Sequence, residues 1–252
     1  MKKIRKTPYI ILFTLLGVFL CLLIWELFSL YLNTTLLHGP IDTFVRVFSL
    51  LKEGYTWQSL GATIYRLLFS FFITFIIALI FGILSGFFHP LYLIFKPFIM
   101  VFRTIPTAAI IFLLIVLFKP YNSLFILNFL LLFPILYESV VSGVRNIDDS
   151  IYKSLRIECK IYSPKSIFSV IIPMASPYIG LGIIQSLGLG MKISIMSEVL
   201  CGTNKIKGLG RMIYFANQES NMLDLLAVSI IAIIIICLLD ISLNILKKMI
   251  KK

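Results

Sequence analysis

Little of this 252-residue sequence is charged: 11 residues are Asp or Glu and all charged residues together make 13%, about half the share found in ordinary soluble domains. That scarcity excludes a water-covered globule, because too little polar surface remains to enclose a core. Only two histidines occur, His38 and His89, each isolated in a loop-like stretch, which argues against a metal centre or a proton shuttle. The four cysteines, Cys21, Cys159, Cys201 and Cys237, are scattered without a C-x-x-C pair or a His at ligand spacing, which excludes a zinc or redox motif and a disulfide framework. A G-x-x-x-x-G-K-[ST] phosphate loop is missing, and Gly208-Leu209-Gly210 precedes no phosphate-cradling Lys, so the chain carries no ATPase site of its own. With no G-x-S-x-G either, neither an enzyme nor a cofactor-bearing domain is expected.

What the chain has in quantity is apolar sequence. Hydrophobic residues make up 60%, with 22 Phe and 11 Tyr against 2 Trp. A crossing of the hydrocarbon core takes about 20 apolar residues, so six crossings use roughly half the chain and leave short connections. The expected spans are 8–32, 64–88, 91–118, 123–144, 167–200 and 223–246, forming an all-α polytopic membrane protein with one transmembrane domain over 1–252 and no separate soluble domain. The first run is longer than a signal-peptide core and lacks a small-residue cleavage site, so it reads as a span. Pro97 and Pro106 interrupt the third run, the fourth contains Pro134, and Pro173 and Pro177 fall near the start of the fifth; interrupted helices line cavities because their freed backbone groups need partners. Ser70, Thr74, Ala78, Gly82 and Gly86 recur every four residues, one helix face on which a neighbour can approach closely. Asp42 to Leu51 reads as a short amphipathic piece at an interface.

The formal charge of +12 sits at the ends. Lys2, Lys3, Arg5 and Lys6 precede the first run, and Lys247, Lys248, Lys251 and Lys252 follow the last, which places both termini in the cytoplasm and argues against nucleic acid as the partner. The long polar stretch Arg145 to Ser166 holds five Lys or Arg and three acidic residues, and six crossings put it on the cytoplasmic side as well. Lys205, Lys207 and Arg211 then lie outside, against the bias.

Several motifs occur in a fixed order. Phe133-Pro134, Gly143, Val144-Arg145, Asp148 and Ile171-Ile172-Pro173 bracket the polar stretch; His38-Gly39-Pro40 with Thr63-x-x-Arg66, then Ile105-Pro106-x-x-Ala109, precede it; and Glu198, Gly208-Leu209-Gly210 and Asp240 follow. Over roughly residues 35–246 this order resembles the permease subunits of type I ABC importers in the nitrate, sulfonate, taurine and bicarbonate uptake group. The resemblance implies a six-helix permease fold, pairing with a second permease copy as a homodimer, and two ABC ATPase subunits that bind ATP and Mg. It also implies an extracytoplasmic solute-binding protein and a multi-pass place in the bacterial cytoplasmic membrane. A small solute of that group, or one like a vitamin precursor, would cross by alternating access. Residues 146–166 correspond to the coupling loop, the EAA loop, which docks on the ATPase. Measured back from Pro173, Ser154-Leu155-Arg156 stands in the place of E-A-A and Lys160 in that of the loop glycine. Ser163-Pro164 could supply the bend instead, since the residue before a proline is pushed out of helical geometry. Asp149, Ser154, Leu155, Arg156, Lys160, Ser163, Pro164 and Pro173 are therefore the coupling-loop candidates, with Arg156 and Lys160 positioned to meet acidic groups of the ATPase.

Ionisable residues inside apolar runs are costly enough to be functional candidates. Arg66 and Glu138 lie near span ends, where long side chains reach the headgroups, and Asp240, seven residues before Lys247, can pair with the basic tail. Lys192 and Glu198 lie deep in the fifth run, six residues apart and about 200° around a helix, so each needs its own partner. With Arg103 and Pro106 they are the translocation-path candidates, and Lys192 facing a cavity would suit an anionic or hydrogen-bond-accepting solute. A stand-alone transporter or channel driven by an ion gradient, using Lys192 and Glu198, is the alternative, although the halves show none of the internal similarity expected of repeat-built transporters.

Overall fold

The computed structural model describes residues 7–32, 37–148, 150–152, 163–203 and 206–250, and among them every regular element is helical. This is the architecture lipid demands, since a helix satisfies its backbone hydrogen bonds within itself. The elements are α1 (Thr7–Leu32), α2 (Pro40–Lys52), α3 (Gly54–Phe87), α4 (His89–Thr104), α5 (Thr107–Leu117), α6 (Pro120–Arg145), α7 (Ile172–Cys201), α8 (Leu209–Gln218) and α9 (Met222–Ile250). A helical turn, Pro164–Ser166, and a π-helical segment, Ile167–Ile171, lead into α7.

Five helices are long and apolar enough to cross a membrane, and α4 with α5 form a sixth, bent by 99°. Helix directions show that this bent pair returns the chain to the opposite side. Against α6, α3 runs parallel: a Cβ on Gly82 would come within 2.7 Å of Val140 and one on Gly86 within 2.6 Å of Val144, while Asn128 donates to Ser70 Oγ at 3.1 Å. Two parallel consecutive spans need a crossing between them, which α4 and α5 supply. Antiparallel to both runs α7, with Gly190 against Leu132 and Gly182 against Ser139. Six crossings follow, with Arg145, Lys165 and the basic tail at one end; by the charge bias that end is cytoplasmic.

The small-residue face of α3 does pack against α6, and its Ser70, Thr74, Ala78 and Gly82 are buried. The third run breaks once and not twice: Pro97 sits inside α4, and the helix ends at Thr104, because Pro106 has no N–H to continue it. At the other end of the bundle α1 is a peripheral helix. Leu22, Trp25, Glu26 and Ser29 are the residues of its final turns that are not exposed, and Trp25 Nε1 donates to the His38 carbonyl at 3.1 Å while Ser29 Oγ donates to that of Leu37 at 2.6 Å. Outside the spans, α2 is tied to the start of α9 by Arg46, whose Nη2 donates to Asp224 Oδ2 at 3.0 Å. That hydrogen bond raises the Arg46 pKa above its ordinary value.

Candidate functional site

Around the cytoplasmic half of the bundle, α4, α6, α7 and α9 enclose an open cleft of about 660 Å³. It exists because α7 presents small residues to α6: Gly182 lies against Ser139, and Gly143 of α6 against Ala175. The remaining face of α7 is left uncovered. Along that face Met174, Tyr178, Leu189 and Met196 are 39%, 40%, 45% and 42% exposed, with Gln185 and Lys192 exposed between them. Four charges line the cleft: Arg103, Glu138, Lys192 and Asp240.

Arg103, near the end of α4, pairs with Glu138 of α6, and both remain about half exposed. Glu138 therefore meets a cation across the cleft instead of reaching for headgroups. Among the described residues Lys192 has no acidic partner within ion-pair distance, and Asp240 no basic one. A Cβ on Gly188 would come within 2.9 Å of Asp240 Oδ1, which seats this carboxylate about one helical turn from Lys192. The cleft is thus charge-balanced, with one pair closed and one Lys and one Asp lining it outside any ion pair among the described residues. Side chains beyond Ile245 are outside the described residues, so the expected pairing of Asp240 with the tail is too. Neutral groups, among them Gln185, Asn244, Ser142 and Tyr178, complete a lining suited to a small polar molecule. No cluster of three or more His, Cys, Asp or Glu with metal-holding geometry occurs among the described residues.

Glu198 does not line this cleft, contrary to its expected place on the path. Its side chain has 0% exposure, and its ion-pair partner is Arg66, 5% exposed. Thr63 Oγ1 donates to Glu198 Oε2 at 3.0 Å and Gly210 N–H donates to the same oxygen at 2.9 Å. Arg66 Nη2 also donates to the Lys207 carbonyl at 2.8 Å, and Leu209 N–H donates to Thr63 Oγ1 at 3.0 Å. Arg66 is accordingly no headgroup-seeking residue: Thr63 and Arg66, one turn apart on α3, reach a single carboxylate on α7 and the start of α8. Glycine is required there, since a Cβ on Gly210 would come within 2.2 Å of the Ile195 carbonyl and one on Gly208 within 2.2 Å of Glu198 Oε2. This extracytoplasmic clasp was legible only as the pieces Thr63-x-x-Arg66, Glu198 and Gly208-Leu209-Gly210; nothing in the sequence joined them.

Pro106 makes the α4–α5 bend that sets Arg103 at the cleft, but is not itself in the lining. Of the coupling-loop candidates, Asp149, Ser154, Leu155, Arg156 and Lys160 lie outside the described residues. Ser163 is extended and its Oγ accepts from Ser166 N–H at 3.2 Å, so Ser163-Pro164 restarts the helix as the proline requires. Pro173 stands where the π-helical segment passes into α7 within one continuous helical stretch, so its missing N–H removes one backbone hydrogen bond there.

The profile of the family described as "Binding-protein-dependent transport system inner membrane component" matches residues 78–252. The chain is 28% identical over 240 residues to the bicarbonate transport system permease protein CmpB of Synechococcus elongatus, covering 90% of this chain and 84% of that one. To SsuC of Bacillus subtilis (strain 168), a permease protein named for aliphatic sulfonates transport, it is 29% identical over 191 residues, 75% of this chain and 67% of that one. Among solved structures, an inward-facing conformation of the MetNI methionine ABC transporter aligns with a TM-score of 0.64 at 16% sequence identity, covering 77% of this chain and 95% of that chain. At that identity the likeness speaks for the fold alone.

Proposed function

Since this chain belongs to the binding-protein-dependent transport system inner membrane components, and is a multi-pass permease subunit of an ABC importer in the cytoplasmic membrane, we propose that it acts as one of two copies. The pair rests on two ATPase subunits that bind ATP and Mg, and takes a small polar solute from a binding protein outside. The observation that carries this reading is Lys192, exposed in the uncovered face of α7 at membrane depth. A charge at the centre of a bilayer costs about 2.5–3.5 kcal/mol or more when it faces lipid. A second permease copy covering the α7 face would turn the cleft into an enclosed aqueous path and leave Lys192 to meet the solute. Its ammonium favours a solute with an oxyanion or another strong acceptor, as the names of the sulfonate and bicarbonate relatives also suggest.

Energy enters through residues 146–166, with Arg156 and Lys160 as the contacts to acidic groups of the ATPase. ATP-driven closure of the partners then shifts the population between two packings of the helices. A gradient-driven carrier working through Lys192 and Glu198 is not favoured, because the family match points to an ABC importer and Glu198 is sequestered by Arg66.

The test is affinity purification of the tagged chain from its native membrane in mild detergent. A P-loop ATPase in equal amount is the expected result; recovery of the chain alone, even after cross-linking, would overturn the reading. In the assembled complex Lys192→Met should abolish uptake without loss of the ATPase, whereas dissociation would make Lys192 a structural residue.

A further inference from the structure

From the packing at the cytoplasmic corner we infer that Arg145 is a positioning residue, the tie through which the loop after α6 moves α4 and with it the Arg103–Glu138 wall of the cleft. This inference rests on the ATPase-coupled reading above. Arg145 is the last residue of α6. Its guanidinium lies 3.9 Å from the centroid of the Tyr92 ring, its Nη2 donates to the Ser85 carbonyl at 3.1 Å, and the same nitrogen is 3.4 Å from His89 Nδ1. One side chain thus joins the end of α6 to the end of α3 and the start of α4.

Tyr152, near the start of the loop, is seated on this corner. Tyr152 Oη donates to the Val144 carbonyl at 2.6 Å, and its ring stands edge-on to Phe87 at 6.3 Å. A displacement of the loop therefore acts first on the last turn of α6 and on Arg145.

From the corner, α4 runs obliquely across α6. Phe95 rests on Tyr137 with ring centroids 5.6 Å apart and on Phe81 at 5.2 Å, and Arg103 then reaches Glu138. Arg145 and Glu138 are seven residues apart on α6, about 10 Å along its axis, so they hold α4 at two points with aromatic contacts between. Beyond Arg103 the 99° bend at Ile105-Pro106 interrupts the backbone ladder, which frees α4 to pivot without dragging α5. Arg145 is itself exposed. A cation–ring contact at an exposed site shifts an equilibrium by about two- to fivefold, too little to decide folding and enough to bias two arrangements of one helix.

The experiment uses the purified complex of this chain with its ATPase subunits and binding protein, reconstituted in liposomes, and reads solute moved per ATP hydrolysed. Spin labels at Met100→Cys and Asn146→Cys, the latter at the cap of α6 and outside the cleft lining, report the α4–α6 distance with and without nucleotide. In R145Q, hydrolysis should stay unchanged within error while solute moved per ATP falls about two- to fivefold, and the nucleotide-dependent distance change should shrink. R145K, which keeps a cation over the ring, should recover part of both signals. Y92L removes the other partner and should match R145Q, with the double variant no worse than either.

An unchanged ratio in R145Q and Y92L would overturn the tie. So would a joint loss of hydrolysis and transport with release of the ATPase, which would mark a merely structural role. If the unaltered complex shows no nucleotide-dependent distance change although ATPase is bound, the tie falls and the coupled reading stands. If no ATPase is bound at all, the coupled reading falls first.

Discussion

Truncating Glu198 tests the clasp most directly. Its side chain is fully enclosed and holds Arg66, Thr63 and the Gly210 N–H at once. In Glu198→Ala the guanidinium of Arg66, 5% exposed, is left without its counter-ion, a situation that costs about 3–5 kcal/mol. The orphaned Gly210 N–H adds to that loss, since an unsatisfied buried donor costs about 1–3 kcal/mol. Reversible unfolding of the purified chain in mixed detergent micelles, followed by circular dichroism, measures the loss. Arg66→Ala should cost a similar amount, and the double variant less than the sum of the two, because the second truncation removes the stranded charge that the first created. Glu138→Ala is the internal control: its partner Arg103 is 48% exposed, and a solvated pair contributes about 0–1 kcal/mol. If Glu198→Ala proves no more costly than Glu138→Ala, burial does not set the value of these pairs and the clasp argument fails.

Three further outcomes follow from the same packing. Gly210→Ala should destabilise more than Gly208→Ala in that unfolding assay, since the added Cβ meets the backbone carbonyl of Ile195 in the first case and the end of a side chain in the second; overpacking of this kind costs about 1–3 kcal/mol. Gly82→Leu should separate α3 from α6 by forcing Val140 away, read as a longer label-to-label distance between the two helices, whereas Gly17→Leu on the lipid-facing α1, with nothing within 4 Å of its Cβ, should change neither distance nor stability. Arg46→Ala should leave the spans intact but free α2 from Asp224, seen as faster amide exchange over Pro40–Lys52; unchanged exchange would show that apolar contacts alone hold α2.

Much of the fold was legible because crossing a membrane is a nearly one-dimensional problem. The lengths of apolar runs gave six crossings; α6 and α9 contain their expected runs and α3 and α7 cover most of theirs, with the largest shift at Gly54, where a polar first part extends α3 ahead of Ile64. The proline at 106 announced the break in the third crossing, and Ser163-Pro164 the restart of the helix before α7. The charges were read less well. Arg66 and Glu198 lie 132 residues apart in sequence, and Arg66 looked like a residue near a span end because its position along the helix was visible while its rotation toward α7 was not. Glu138 was misplaced for the same reason. The spacing of Lys192 and Glu198 did show that they face different ways, and they do, one into the cleft and one into the clasp.

By itself, the sequence determined that the chain is a helical membrane protein, how many times it crosses, and which side its ends occupy, because apolar length and Lys/Arg bias act locally along the chain. It also carried the family, through motifs whose order survives in sequence. Tertiary structure alone decided which charges neutralise one another and which, among the described residues, line the cleft unpaired: α3 and α6 lie parallel with α7 antiparallel against both, and their rotations, fixed by close contacts at Gly82, Gly182, Gly190 and Gly210, turn Glu198 toward Arg66 and Lys192 toward the cleft. A buried charge is tolerated only where its partner lies within hydrogen-bond reach, and that distance is set by how helices far apart in sequence pack together.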